Sequence, residues 1–140
     1  MRIYIGCDHR GYEAKLIINE YLTNKKYEVV DVGTHSSASC DYPDVAKEVA
    51  EGVASDENSR GILICGSGIG ISIAANRHKG IRCVMARNKI DAQLGREHNN
   101  CNVLALGADF HPDLDIVDQF LNTDFMENER YQRRINKMDQ

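Results

Sequence analysis

Nowhere does the 140-residue chain hold the roughly 18 consecutive apolar residues that a membrane-spanning helix requires. At its amino end, Arg2-Ile3-Tyr4-Ile5-Gly6 is too short an apolar stretch for a secretory leader, and Asp8, His9 and Arg10 follow at once. A cytoplasmic protein is expected. Internal repeats, low-complexity tracts and Pro/Gly/Ser-rich linkers are also missing, so a single domain over residues 1–140 is expected, with a helical C-terminal tail from about 112. There is no surplus of positive charge. A net charge of −4 gives the chain no general attraction for nucleic acid or anionic membrane, although Arg130, Arg133, Arg134 and Lys137 crowd near the C-terminus. The five cysteines, at 7, 40, 65, 83 and 101, are odd in number and never spaced CxxC, which favours free thiols over disulfides or a zinc site. No HxH or Asp/Glu cluster has metal-ligand spacing, so no metal is expected. The absence of Gly-x-Gly-x-x-Gly argues against a dinucleotide, and no cofactor is expected.

What is present is an alternation. The runs Arg2–Gly6, Glu28–Gly33, Gly61–Cys65, Ile81–Ala86 and Asn102–Gly107 read as strands, and several are dense enough in Ile, Val and Leu to be buried on both faces. Between the first two, Ala14, Ile17, Ile18, Tyr21 and Leu22 fall at helical spacing. Pro43 suits a first helical turn ahead of the stripe Val45, Ala46, Val49, Ala50 and Val53. Asn88 followed by Asp91 marks another helix start, predicted to turn Ile90 and Leu94 inward. Ile116, Val117, Phe120 and Leu121 predict a helix after the last strand, and a basic helix closes the chain. Alternating βα units predict an α/β fold: a Rossmann-like, doubly wound, five-stranded parallel sheet with helices on both faces. Ligands of such sheets bind beyond the carboxyl ends of the strands, so the residues there carry the functional argument.

Strand one runs into the polar cluster Cys7-Asp8-His9-Arg10-Gly11, and strand three into Cys65-Gly66-Ser67-Gly68-Ile69-Gly70, which opens a helix. Glycines let backbone approach a ligand, and free N–H groups at a helix start favour an anion: a phosphate, a carboxylate or a developing enediolate. A tight βα turn needed only for packing is the plainer explanation of the same glycines. Cys65, ending a buried strand before a helix N-terminus, sits where its thiolate is favoured, as a nucleophile or base requires. Any single cysteine is more often a small buried hydrophobe. His98, in Glu97-His98-Asn99-Asn100, is by itself more often structural or solvated. Arg130 and Arg134, four apart, share a helix face and could clamp a dianion, though most charge runs are simply solvated.

In combination and in this order, the segments GCDHRGYEAK, DVGTHSSASCDYP, GILICGSGIGISIAANRHKGIR and REHNNCNVLALGA closely resemble type B ribose-5-phosphate isomerases. The resemblance runs from Arg2 to about Gly107 and resumes more loosely at Arg130–Arg134. It implies an aldose–ketose isomerase that interconverts ribose 5-phosphate and ribulose 5-phosphate in the pentose phosphate pathway. By resemblance, Cys65 is the base that moves a proton between C1 and C2 of the open-chain sugar. Ser67 and the backbone of Gly66, Gly68, Ile69 and Gly70 hold the enediolate oxygens. His98 assists ring opening and Asn99 binds beside it; Asp8 and Tyr42 hold sugar hydroxyls; His9, Arg130 and Arg134 bind phosphate. Each site is implied to be shared by two subunits of a homodimer or dimer of dimers.

One position departs from that pattern. Asp109 stands where the family commonly has a further phosphate-binding arginine. Either Asp109 points away, paired with an arginine, or another cation compensates, with Arg10 preferred and Arg87 the alternative. Two rival functions remain open at this point: an isomerase of a hexose 6-phosphate such as allose or galactose 6-phosphate, and a non-catalytic flavodoxin-like phosphate-binding module.

Overall fold

Where the sequence is densest in branched apolar residues, the sheet is buried on both faces. The computed structural model describes residues 1–140 and contains β1 (Arg2–Cys7), β2 (Glu28–Gly33), β3 (Ser59–Cys65), β4 (Cys83–Met85) and β5 (Val103–Gly107). All pairings are parallel, in the order β2-β1-β3-β5-β4. Helices α1 (Tyr12–Asn24), α2 (Tyr42–Ala54), α3 (Ile69–Asn76), α4 (Lys89–Asn99), α5 (Leu114–Asn122) and α6 (Glu129–Met138) connect and follow the strands. Short 3-10 turns at His9–Gly11 and Ala108–Phe110 extend the ends of β1 and β5.

Side-chain alternation along the central strands builds two cores. Ile62, Ile64, Leu104 and Leu106 pack with Ile18 and Leu22 of α1, Ala92 of α4 and Phe120 of α5. Leu63, Cys65, Val103 and Ala105 face the other way, onto Val49 and Val53 of α2 and Ile71 and Ala75 of α3. Each fully buried aliphatic side chain of this kind contributes about 1.5–3 kcal/mol. The expected doubly wound parallel sheet is therefore present, and α5 is part of its core. All five cysteines are free.

Three local expectations need correction. β4 is laddered only over Cys83–Met85, because it lies at the sheet edge and Ile81 is held in a turn by its N–H to the His78 carbonyl. Ile17 is 60% exposed, since the inward face of α1 is centred on Lys15, Ile18 and Leu22. Ile90 and Leu94 point outward as well, 64% and 43% exposed. The inward face of α4 is instead made of Ala92, Gly95 and Arg96. A Cβ on Gly95 would meet Val84 at 2.9 Å, so small residues are what let α4 lie against β4. Arg96 is buried because its guanidinium donates to the carbonyls of Thr123 and Cys101 and to the Asn100 side chain.

The chain turns from β1 to β2 on one side and reaches β3 on the other, which makes the β1/β3 boundary the topological switch point. Register pairs Cys7 with Ile64 there, so the turns after β1 and β3 emerge side by side at one end of the sheet.

Candidate active site

The Asp8 N–H extends the ladder by donating to the Ile64 carbonyl at 3.1 Å. Its carboxylate Oδ1 accepts the N–H groups of Arg10 and Gly11 at 3.0 and 3.2 Å, which fixes the turn, while Oδ2 has no partner in the chain. Only 5% of Asp8 is exposed, so this carboxylate is held rigidly at the floor of the crevice. His9 Nδ1 accepts the backbone N–H of Cys40 at 3.3 Å. In the neutral ring the proton is then on Nε2, which is left to donate outward.

Beside it, the β3–α3 turn presents Cys65, 5% exposed, with its sulfur accepting the Gly68 N–H at 3.2 Å. That bond is stronger to a thiolate than to a thiol. Gly68 has φ +80°, a conformation that favours glycine, and it caps α3 without any side-chain acceptor. Ser67 Oγ accepts from Ile69 N at 3.1 Å, and the N–H groups of Gly70 and Ile71 find no acceptor in the chain. Two unmatched donors at a helix start, a short step from a thiol, form a cradle for negative charge on oxygen. Tyr42, at the start of α2, lies across Gly70 so closely that a Cβ there would sit 2.6 Å from the ring.

Arg10 and Asp109 form an ion pair over the mouth of this turn. The guanidinium rests against Gly66, and the Asp109 N–H donates to the Gly66 carbonyl at 2.9 Å. Of the two arrangements expected for Asp109, pairing with an arginine is the one observed. The arginine is Arg10 itself, so its charge is matched rather than free. Arg87 stacks on Phe110, 4.1 Å from the ring centroid.

The remaining candidates gather elsewhere. His98 and Asn99 are in the last turn of α4, where Arg82 donates to the carbonyls of Asn99 and Asn100 at 2.8 and 3.1 Å. Arg130 and Arg134 lie exposed along α6, and neither makes an ion pair. Between them Tyr131 stacks on His98, with ring centroids 4.7 Å apart, and so joins the two helices. This group is at the amino end of β5, whereas Cys65 pairs with Gly107 at its carboxyl end. The strand between them spans about 13 Å at roughly 3.3 Å per residue. One chain thus brings together Asp8, His9, Arg10, Tyr42 and Cys65 through Gly70, and separately His98, Asn99, Arg130 and Arg134. It does not bring the two groups to each other.

A model of the family described as Ribose/Galactose Isomerase matches residues 3–138 of the chain. The chain belongs to the ribose/galactose isomerase family. Among its relatives, ribose-5-phosphate isomerase B of Escherichia coli (strain K12) is 45% identical over 137 residues, covering 96% of this chain and 91% of the relative. A solved ribose-5-phosphate isomerase B of Clostridium thermocellum superposes with a TM-score of 0.95 at 47% identity, over 99% of this chain and 95% of that one. Another solved family member, ribose-5-phosphate isomerase B of Mycoplasma genitalium with bound ribulose-5-phosphate, gives a TM-score of 0.93 at 41% identity, covering 99% and 93%.

Two residues that order these two groups were not anticipated from sequence. Cys40 acts through its backbone, and Tyr131 through a ring whose only sequence signal is its place four residues before Ile135 on α6. No three His, Cys, Asp or Glu side chains converge in a way that could hold a metal ion.

Proposed function

We propose that the chain is a ribose-5-phosphate isomerase that uses Cys65 as the proton-transferring base. The observation that carries this reading is the Cys65 sulfur, accepting the Gly68 N–H, beside the unmatched N–H donors that open α3. Isomerisation breaks the C2–H bond of the open-chain aldose and forms a C1–H bond in the ketose. It needs one base able to reach both carbons, and fixed donors where charge develops on O1 and O2. Cys65 supplies the first; the free N–H groups of Gly70 and Ile71 supply the second, held in place by the turn of Gly66, Ser67, Gly68 and Ile69. Asp8, through its free Oδ2, and Tyr42 take sugar hydroxyls, while His9 donates to phosphate from Nε2.

Ring opening by His98, with Asn99 beside it, and a phosphate clamp of Arg130 and Arg134 require a second copy of the chain. This part of the reading is supported by the separation of the two groups along β5 and by the freedom of both arginines from other ion pairs. The apolar side chains Ile69 and Ile73 on α3, and Ile90 and Leu94 on α4, are exposed and available to such a partner. A homodimer, or a dimer of dimers, working in the cytoplasm without a metal completes the proposal.

A coupled assay following ribose 5-phosphate to ribulose 5-phosphate, with allose 6-phosphate and galactose 6-phosphate run beside it, tests the function. Turnover of the pentose phosphate at a kcat/KM well above that of either hexose phosphate is expected. Preference for a hexose phosphate would move the assignment to that substrate, and no turnover of any would leave a phosphate-binding module.

A further inference from the structure

Lys15 faces the core from the inward side of α1, 1% exposed, with no role in the chemistry described above. Its ammonium donates to Asp31 Oδ1 at 2.8 Å and to the Thr34 carbonyl at 2.5 Å, beyond the end of β2. Asp31 Oδ1 also accepts the Gly33 N–H at 2.9 Å. A buried ion pair adds little net stability over apolar side chains of similar volume, so packing alone does not account for a lysine here.

What the lysine holds is informative. The segment 34–41 has no helix or strand and is exposed from His35 to Ser39. Few hydrogen bonds anchor it. At its start, the Thr34 N–H donates to the Cys7 carbonyl at 2.8 Å and Lys15 takes the Thr34 carbonyl. At its far end the Cys40 N–H donates to His9 Nδ1, and Tyr42 follows directly, lying over Gly70. The segment therefore sets the tautomer of His9 and leads directly into Tyr42 at the start of α2.

We propose that Lys15 is a positioning residue for substrate binding: its buried ammonium clamps the start of segment 34–41 and thereby holds His9 and Tyr42 in register with the Cys65 turn. This inference rests on the isomerase reading above. A displacement of about 1 Å at a binding group is enough to weaken catalysis substantially, so a clamp remote from the reacting carbons still matters.

Steady-state kinetics with ribose 5-phosphate on Lys15→Met and Asp31→Asn test it, alongside thermal melts. Lys15→Met is expected to raise KM about tenfold or more with kcat within about threefold, because the Cys65 turn stands on β3 and is not held by the segment. Asp31→Asn is expected to lower the melting temperature but keep KM within about twofold, since the amine still donates to Thr34. That split separates a clamp from general stability. If Lys15→Met does not fold, the Lys15→Met/Asp31→Asn variant, which leaves no orphaned carboxylate, is read in its place with the same expectation. A folded lysine variant with the parental KM overturns the proposal. So does a KM that rises equally in Asp31→Asn, or failure of both lysine variants to fold, which would make Lys15 a residue of the fold alone. Absence of turnover in the parent would instead sink the isomerase reading.

Discussion

Arg10 and Asp109, 99 residues apart in sequence, close an ion pair across the backbone of Gly66 at the mouth of the Cys65 turn. With side chains 55% and 46% exposed, the pair contributes on the order of 1 kcal/mol or less to stability. Its effect on an incoming dianion is a different matter. Removing Arg10 leaves the Asp109 carboxylate uncompensated, whereas removing Asp109 frees the guanidinium to face phosphate.

Arg10→Ala is accordingly expected to raise KM for ribose 5-phosphate by roughly 3- to 30-fold, the range a few screened charge contacts can produce. Asp109→Ala should leave KM unchanged or lower it, and the double variant should fall between. Measuring all three at low and high salt checks the electrostatic origin, because the differences should shrink as ionic strength rises. An Arg10→Ala enzyme with the parental KM under both conditions would show the pair to be inert toward substrate.

Cys65→Ala should fold normally, since alanine fits the space of a thiol that packs against α2 and α3. Isomerisation should fall by about a hundred- to ten-thousand-fold, or roughly 3–5 kcal/mol of barrier, as expected for loss of a positioned base. Solvent-deuterium exchange into ribulose 5-phosphate should fall with it. Near-parental exchange in the purified variant would remove Cys65 from the role of base.

Much of this was legible from sequence, and the misses share a cause. Branched apolar runs and the polar residues directly after them located β1, β3 and β5 and the Asp8–Gly11 and Cys65–Gly70 turns, because in a parallel sheet strand ends and ligand sites coincide. Ile17, Ile90 and Leu94 misled, because apolar spacing shows that a helix has a face but not which neighbour covers it. Lys15 and Arg96 occupy inward faces where a hydrophobe would be expected, and only the carbonyls and the carboxylate around them make that tenable. The pairing of Arg10 with Asp109, and of Tyr131 with His98, joins residues far apart in the chain, which no local pattern encodes.

Buried thiols contribute to an alkaline limit. Burial pushes Cys7 from an ordinary 9.0 up to about 11, with neighbouring Lys15 opposing the shift and Asp31 and Asp8 adding to it. Burial likewise pushes Cys101 to about 11, against the opposing charges of Arg82 and Arg96. Both groups are thus favoured as neutral thiols in the folded chain, while the unfolded chain begins to lose these protons near pH 9. Their contribution to stability is complete below that pH and is lost as pH rises toward about 11. Full titration is worth roughly 2–3 kcal/mol for each thiol. Urea unfolding at a series of pH values should show this decline, and Cys7→Ala/Cys101→Ala should lessen it, leaving the part due to Cys83, whose thiol is also pushed up by burial. An unchanged slope in the double variant would assign the alkaline loss to other groups.

Finally, the two half-sites make a prediction that a self-contained site does not. In one chain, His98 is at the amino end of β5 and Cys65 beside its carboxyl end, and on the proposed shared arrangement a complete site takes Cys65 from one copy and His98 from another. Cys65→Ala and His98→Asn should each be severely impaired as a homodimer. When the two are mixed, unfolded and refolded together, random pairing makes half the dimers hybrids. In a hybrid, one site has both substitutions and the other has neither. About a quarter of the parental sites should then be restored, since the two-fold symmetry gives each hybrid one intact site of two. Arg134→Ala should complement Cys65→Ala in the same way, because Arg134 belongs to the His98 half, whereas Asp8→Asn should not, because Asp8 shares the crevice of Cys65. Activity of the Cys65→Ala and His98→Asn mixture no higher than the sum of its components, with hybrid dimers demonstrated by differential tagging, would place a complete site within a single chain and refute the shared arrangement.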